Sequence, residues 1–170
     1  AARATASADG RPHWDRLLAC LDGHRETVQA ATEEMNERRA NAQKGQKLAI
    51  AAVTASDEEK VKDWPAAKAV DGSVAEPAGY WLTGYNSPSS AWLEVELAQP
   101  GRVNLVSLFH QLNAGHYRSL DYTVSVRVDG KWKPVADVKD NQLSGWAGHR
   151  FETVETDAVR LEITRSAHRA

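Results

Sequence analysis

Two periodicities divide the chain. Upstream, Trp14, Leu17, Leu18 and Leu21 fall at i, i+3, i+4 and i+7, the one-sided spacing of an amphipathic helix, and Pro12 sits where a first helical turn accepts proline. Gly23 predicts the end of that helix. A second helical stretch is expected from about His24 to Gln43, rich in Glu, Ala, Gln and Arg, with Val28, Ala31, Met35 and Ala42 as a thin apolar stripe and Gly45 as its stop. So sparse a stripe does not hold a helix pair together alone. The expected helical hairpin therefore either docks on the segment that follows or belongs to a bundle with an upstream region.

From Lys47 the period becomes two. In the segment AWLEVEL, Leu93, Val95 and Leu97 alternate with Trp92, Glu94 and Glu96, which predicts a strand with one buried and one largely polar face. Val103 to His110 is an apolar run suited to a strand covered on both sides. Tyr122, Val124, Val126 and Val128 then alternate with Thr123, Ser125 and Arg127, and Asp129-Gly130 predicts a two-residue primed turn into a strand from Lys131 to Val138. The last two strands are HRFETV and AVRLEIT, with Thr156-Asp157 as the turn between them. No helical pattern interrupts the series, so the fold class is mainly β, an antiparallel sandwich or jelly roll rather than a parallel sheet with crossover helices. The organisation expected is an arm at residues 1–46 and a β-sandwich module at residues 47–166.

Composition narrows the function classes. With 42% hydrophobic and 26% charged residues among 170, the chain has the means to bury a core and is neither disordered nor collagen-like. A formal charge of −2 argues against a nucleic-acid partner and a polybasic membrane anchor. One cysteine, Cys20, excludes an internal disulfide and a multi-cysteine zinc site. No apolar run approaches the ~20 residues of a membrane span. The opening AARATASADGR has neither an initiator Met nor a signal-peptide core, and reads as part of a longer protein.

Several strings, in order, resemble a known family. PAAKAVDG (Pro65 to Gly72), Trp81, SAWLEVEL, RSLDYTVSVRVDGKWKPVADV, HRF and VRLEITRS resemble the coagulation factor 5/8 C-terminal, or discoidin, domains. Within that group they are most similar to bacterial family 32 carbohydrate-binding modules with a galactose-binding-like fold, over about residues 48–165. The resemblance implies an eight-stranded antiparallel jelly roll that binds its ligand through loops at one end. It also implies a secreted or periplasmic, cell-surface setting as the noncatalytic accessory domain of a carbohydrate-active enzyme, with a glycan and a linked catalytic domain as partners. The alternative is a protein-interaction or assembly domain docking onto that linked domain.

A structural calcium ion often accompanies this fold. Asp71 lies in AVDG, where a turn can aim its carboxylate and nearby carbonyls at a hard cation. The resemblance implies Asp71, oxygens of its loop and Glu162 of VRLEIT as ligands, with Ser73 standing where the family commonly has Asn or Asp.

A sugar site needs a flat aromatic face flanked by planar donors and acceptors. Three polar segments expected as loops offer Tyr85 and Asn86; His110 and Arg118; and Asn141, Trp146 and His149. Trp146, between Gly145 and Gly148, is the expected stacking platform, and His110 and Arg118 match places where the resemblance implies hydroxyl-binding groups. Trp81 and Trp92 are expected to close the sandwich, and Trp132 to pack across its hairpin. Glu94 and Glu96 share a strand face and form a conceivable carboxylate pair, but no nucleophile with its own base, no phosphate loop and no HExxH motif stands in the sequence.

Overall fold

The computed structural model describes residues 10–60, 64–74, 80–84, 90–110 and 118–167, with helical side chains from Leu18 onward. Ala, Glu, Gln and Arg favour helix strongly enough that the upstream region forms one continuous helix, α1, Gly10–Ala42. This corrects the expected helical hairpin. Gly23 keeps a helical backbone, being absent from the residues with positive φ, and the Thr27 hydroxyl donates to its carbonyl at 2.8 Å. A single glycine costs a helix about 1 kcal/mol, too little to end one flanked by good helix formers. Gly45, with φ of +137°, lies past the end of α1, where the sequence placed the stop.

The chain divides into two units, one reaching Glu37 and the other beginning at Arg38. In the second unit, β1 (Ile50–Ala55), a short 3-10 helix (Ala66–Ala69), β2 (Ala91–His110), β3 (Ser119–Val128), β4 (Lys131–Val138) and β5 (Gly145–Ser166) follow in order. The strands form one antiparallel sheet in the order β1-β2-β5-β3-β4. At the β3–β4 turn both Asp129 (φ 50°) and Gly130 (φ 71°) adopt the left-handed conformation a primed hairpin requires.

The resemblance implied eight strands, whereas the described residues contain five, because β2 and β5 each join two segments that the sequence kept apart. The ladder between them breaks register between the pairs Glu96–Ala158 and Gly101–Thr156, where residues 97–100 of β2 stand against Asp157 alone, so β2 bulges at a corner there and neither strand ends. Thr156, expected in a turn, is 2% exposed and holds this corner. Its hydroxyl accepts from the N–H groups of Arg127 (3.1 Å) and Ala158 (3.2 Å) and lies 2.8 Å from the carbonyls of both.

Among the described residues, β3 pairs with β5 along Val159–Ser166, while the Gly145–Thr156 part of β5, beyond the corner, pairs with β2. The core follows the alternation read in the sequence: Tyr122, Val124 and Val126 are fully buried, with Leu93, Val103, Ala147 and Ala158 around them. Ser107 and Gly148, opposite one another on the β2–β5 ribbon, receive the last turn of α1. The Ser107 hydroxyl donates to the Ala42 carbonyl, Arg150 donates to that of Asn41 at 3.2 Å, and Ala42 is buried.

Candidate functional site

Four chain segments meet at one rim. His110 ends β2 opposite Gly145, which begins β5, and Asn141 ties the β4–β5 connection to the start of β3. The Asn141 N–H donates to the Leu120 carbonyl at 2.9 Å and its side-chain amide to that of Ser119 at 3.0 Å, while its Oδ1 accepts from the Leu143 N–H at 3.0 Å. Asn141 is thus a buried clamp whose hydrogen bonds serve the fold. Next to it, Arg118 reaches the carbonyl and Oε1 of Gln142 at 3.5 and 3.4 Å.

Under this rim lies a polar cluster built on Tyr122. The alternation of β3 drives Tyr122 inward, and a buried tyrosine needs a partner for its hydroxyl. His149 Nε2 supplies it at 3.1 Å, and the His110 and His149 rings stand with their centroids each 5.5 Å from that of the tyrosine. Burial dominates the electrostatics. It lowers His110 from 6.5 to about 4, with the neighbouring His149 and Arg118 charges adding to the shift, lowers His149 as well, and raises Tyr122 to about 12. All three are neutral at pH 7. Among the described residues, His110 Nε2 and Arg118 Nε are shielded from solvent with no hydrogen-bond partner. Unused hydrogen-bonding capacity at a strand-end rim suits a ligand with hydroxyls.

The structure therefore brings together His110, Arg118 and His149, with Asn141 bracing the rim. It adds Tyr122, which the sequence marked as core by its alternation without revealing what its hydroxyl meets. Trp146 does not join them. It lies in β5 rather than in a loop, opposite Phe109, with the rings 5.2 Å apart at 65°. Side chains alternate along a strand and opposed residues share a face, so Trp146 and Phe109 occupy the face opposite His110 and His149.

The flanking glycines, which suggested a loop, have other uses. Gly145, at φ 79°, turns the chain into the strand. Gly148 leaves room for the helix end, since a Cβ there would stand 3.2 Å from Ala42 Cα. Tyr85 and Asn86 lie outside the described residues.

Trp92 also departs from expectation. Instead of closing the sandwich it lies on the Glu94 face of the sheet, where the Arg160 guanidinium sits 4.9 Å from its ring centroid. Trp132 packs across its hairpin as expected, with Arg127 at 5.7 Å and Arg160 at 5.8 Å from its ring. Glu94 pairs with Arg160 at 3.4 Å, and Glu96 and Asp157 with Arg127 at 3.7 and 2.8 Å. The two glutamates thus belong to a ladder of ion pairs. Trp81 is structural, its indole N–H donating to the Asp57 carbonyl at 2.9 Å.

Asp71 accepts the Ser73 N–H on Oδ1 at 2.7 Å in a turn where Gly72 has φ of +82°, and Glu162 is an exposed residue of β5 between Trp92 and Thr123. Among the described residues no group of three or more His, Cys, Asp or Glu side chains converges. A cation at Asp71 would draw mainly on carbonyl oxygens, a donor set of calcium rather than of zinc.

Over residues 52–170 the chain matches the F5/8 type C domain family. Among solved structures, chitosan-binding module 1 of a chitosanase/glucanase from Paenibacillus sp. IK-5 is 25% identical with a TM-score of 0.57, covering 67% of this chain and 82% of that one. A CBM32 module of Clostridium perfringens, solved with GalNAc-β-1,3-galactose, is 18% identical with a TM-score of 0.59, covering 68% and 84%. The family 32 carbohydrate-binding module of Streptococcus pneumoniae EndoD is 14% identical with a TM-score of 0.57, covering 71% and 87%. The last two likenesses concern the fold alone, which is the discoidin-type β-sandwich expected from the sequence. No curated protein sequence matches the chain.

Proposed function

The chain belongs to the F5/8 type C domain family, and from that premise we propose that it is a noncatalytic carbohydrate-binding module that holds a linked carbohydrate-active enzyme at a glycan outside the cell. The observation that carries this reading is the rim, where His110 Nε2 and Arg118 Nε are sequestered from solvent without hydrogen-bond partners among the described residues, in a chain of this family. Glycan hydroxyls supply what both groups lack, since a neutral imidazole nitrogen and a guanidinium N–H bind adjacent oxygens of a pyranose. Weak affinity suffices, because tethering raises the effective concentration of the linked domain. Among the described residues no helix is long and apolar enough to cross a membrane.

The ligand class is approached with a panel of galactose, N-acetylgalactosamine, fucose, galacturonic acid and chitosan oligosaccharides, read by affinity electrophoresis and calorimetry. At least one is expected to bind at millimolar concentration, and Arg118→Ala and His110→Gln each to weaken it about tenfold, the cost of roughly one charge-assisted or neutral hydrogen bond. Absence of binding to every member at about 10 mM, near the weak end of useful affinity, overturns the reading. A structural calcium ion held by Asp71, oxygens of the Ser73 turn and Glu162 belongs to the same proposal. A melting temperature indifferent to calcium and to chelator counts against it.

A further inference from the structure

The last residues of β5 hold the rim from behind. Arg165 stands opposite Asp121 of β3, and the two form a bidentate pair: Nε donates to Oδ2 at 2.9 Å and a terminal nitrogen to Oδ1 at 2.8 Å. The same terminal nitrogen donates to the Asp140 carboxylate at 2.9 Å, and the Asp140 N–H donates to Asp121 Oδ1 at 2.8 Å. Hydrogen bonds from Arg165 and from the Asp140 N–H hold the Asp121 carboxyl down at about 2, so it is charged at neutral pH. Asp140 has φ of 49°, a left-handed backbone that a residue with a side chain keeps when its surroundings impose it.

From Asp140 the hold passes along the β4–β5 connection to the rim. Two residues on, Gln142 Nε2 donates to the Asp140 carbonyl at 3.2 Å. Gln142 in turn presents its own carbonyl and Oε1 to the two terminal nitrogens of Arg118, whose Nε has no hydrogen-bond partner among the described residues. Just past β5, the Ala167 N–H also donates to the Arg118 carbonyl at 2.7 Å. Stability alone is a poor account of this network. The Arg165 side chain is 42% accessible and that of Asp140 69%, and ion pairs so exposed contribute little to folding. A planar guanidinium that grips two carboxylates from different elements does, however, fix their relative position.

We propose that Arg165 is a positioning residue for the rim: with Asp121 and Asp140 it sets the β4–β5 connection, and through Gln142 it sets the direction of the Arg118 guanidinium. This role rests on the glycan reading of the rim, and Arg165 itself touches no sugar.

Two measurements on the full chain separate the latch from that reading. In the sugar-free protein, the heteronuclear NOE of the Arg118 Nε–H, assigned by its loss in Arg118→Ala, should report an ordered side chain and should fall in Arg165→Gln. Affinity for the best-bound sugar of the panel should drop about threefold to fivefold in Arg165→Gln, less than in Arg118→Ala because the Gln142 contacts are long. Adding Arg165→Gln to Arg118→Ala should cause no further drop. Asp140→Asn leaves the Asp121–Arg165 pair whole and weakens only its grip on the connection, so it should lower the NOE and the affinity by less. An Arg165→Gln chain that melts lower yet keeps the NOE and affinity of the wild type is one whose network is purely structural, and it overturns the proposal. An equal loss of affinity with and without Arg118 overturns it too, since Arg165 would then act by another route. If no sugar binds while the NOE falls in Arg165→Gln, the glycan reading fails and the positioning of Arg118 stands.

Discussion

The rim and the outer sheet face are built from similar residues to opposite effect. On the outer face, Arg160 lies over Trp92 and pairs with Glu94, and Arg127 lies beside Trp132 and pairs with Glu96 and Asp157, so each cation meets both an aromatic ring and a carboxylate. At the rim, the His110 and His149 rings flank Tyr122, whose hydroxyl meets His149, and His110 Nε2 has no hydrogen-bond partner among the described residues. The first arrangement spends its polar groups on stability. The second leaves hydrogen-bonding capacity unused at a cost to the fold, which is the physical ground for proposing it, and not the ion-pair network, as the binding site.

Acid should separate the two regions most strongly. An imidazole titrates near 6.5 in the unfolded chain and His110 near 4 in the fold, so its contribution is fully present above pH 6.5 and is lost as pH falls toward 4. The loss amounts to about 3 kcal/mol for a shift of this size, and His149 acts in the same direction. On the outer face, Asp157 is held below its ordinary value chiefly by its hydrogen bond from Arg127, so its carboxylate keeps its charge through that window. The urea midpoint should drop between pH 7 and pH 4.5 and the drop should shrink in His110→Gln. A midpoint that does not move over this range would remove the distinction.

Trp92→Ala tests the other side of the comparison. Removing the ring beneath Arg160 should cost about 1–2 kcal/mol of stability and leave glycan affinity unchanged. A much larger loss in calorimetry would return Trp92 to the core. The smallest effect is expected from Tyr122→Phe, which keeps the ring and deletes only the hydroxyl that meets His149. The loss should be about 1 kcal/mol, read from the shift in denaturant midpoint, with no change in the hairpin it stands on.

Local rules made the sheet legible. Tyr122, Val124 and Val126 announced a buried face by alternation, and Asp129-Gly130 announced its turn because few dipeptides tolerate two left-handed residues. Position relative to distant segments was not legible. Gly145 and Gly148 look alike in sequence, yet one starts a strand and the other admits Ala42, and their use as loop residues was the natural misreading. Trp92 stood in the sequence on the polar face of its strand, but Arg160, the residue that covers it, lies far along the chain. Gly23 reads as a stop in sequence, but one residue's propensity is a weak signal when its neighbours favour helix. At the rim, His110 and Arg118 were found from the resemblance, while the hydrogen bond joining Tyr122 to His149 spans 27 positions and has no local signature.

The order of the sheet has a consequence in time. β5, the last of the described strands along the chain, is the middle strand of the sheet, flanked by β2 and β3. Until it arrives only β1 with β2 and β3 with β4 have neighbours to pair with, and the inner edges of β2 and β3 stand open to any other extended chain. During synthesis from the N-terminus the sheet is therefore two separate ribbons, and its closure is a late, long-range and hence slow event. A stop codon or protease cut ahead of Gly145 would leave those two ribbons without the strand that joins them.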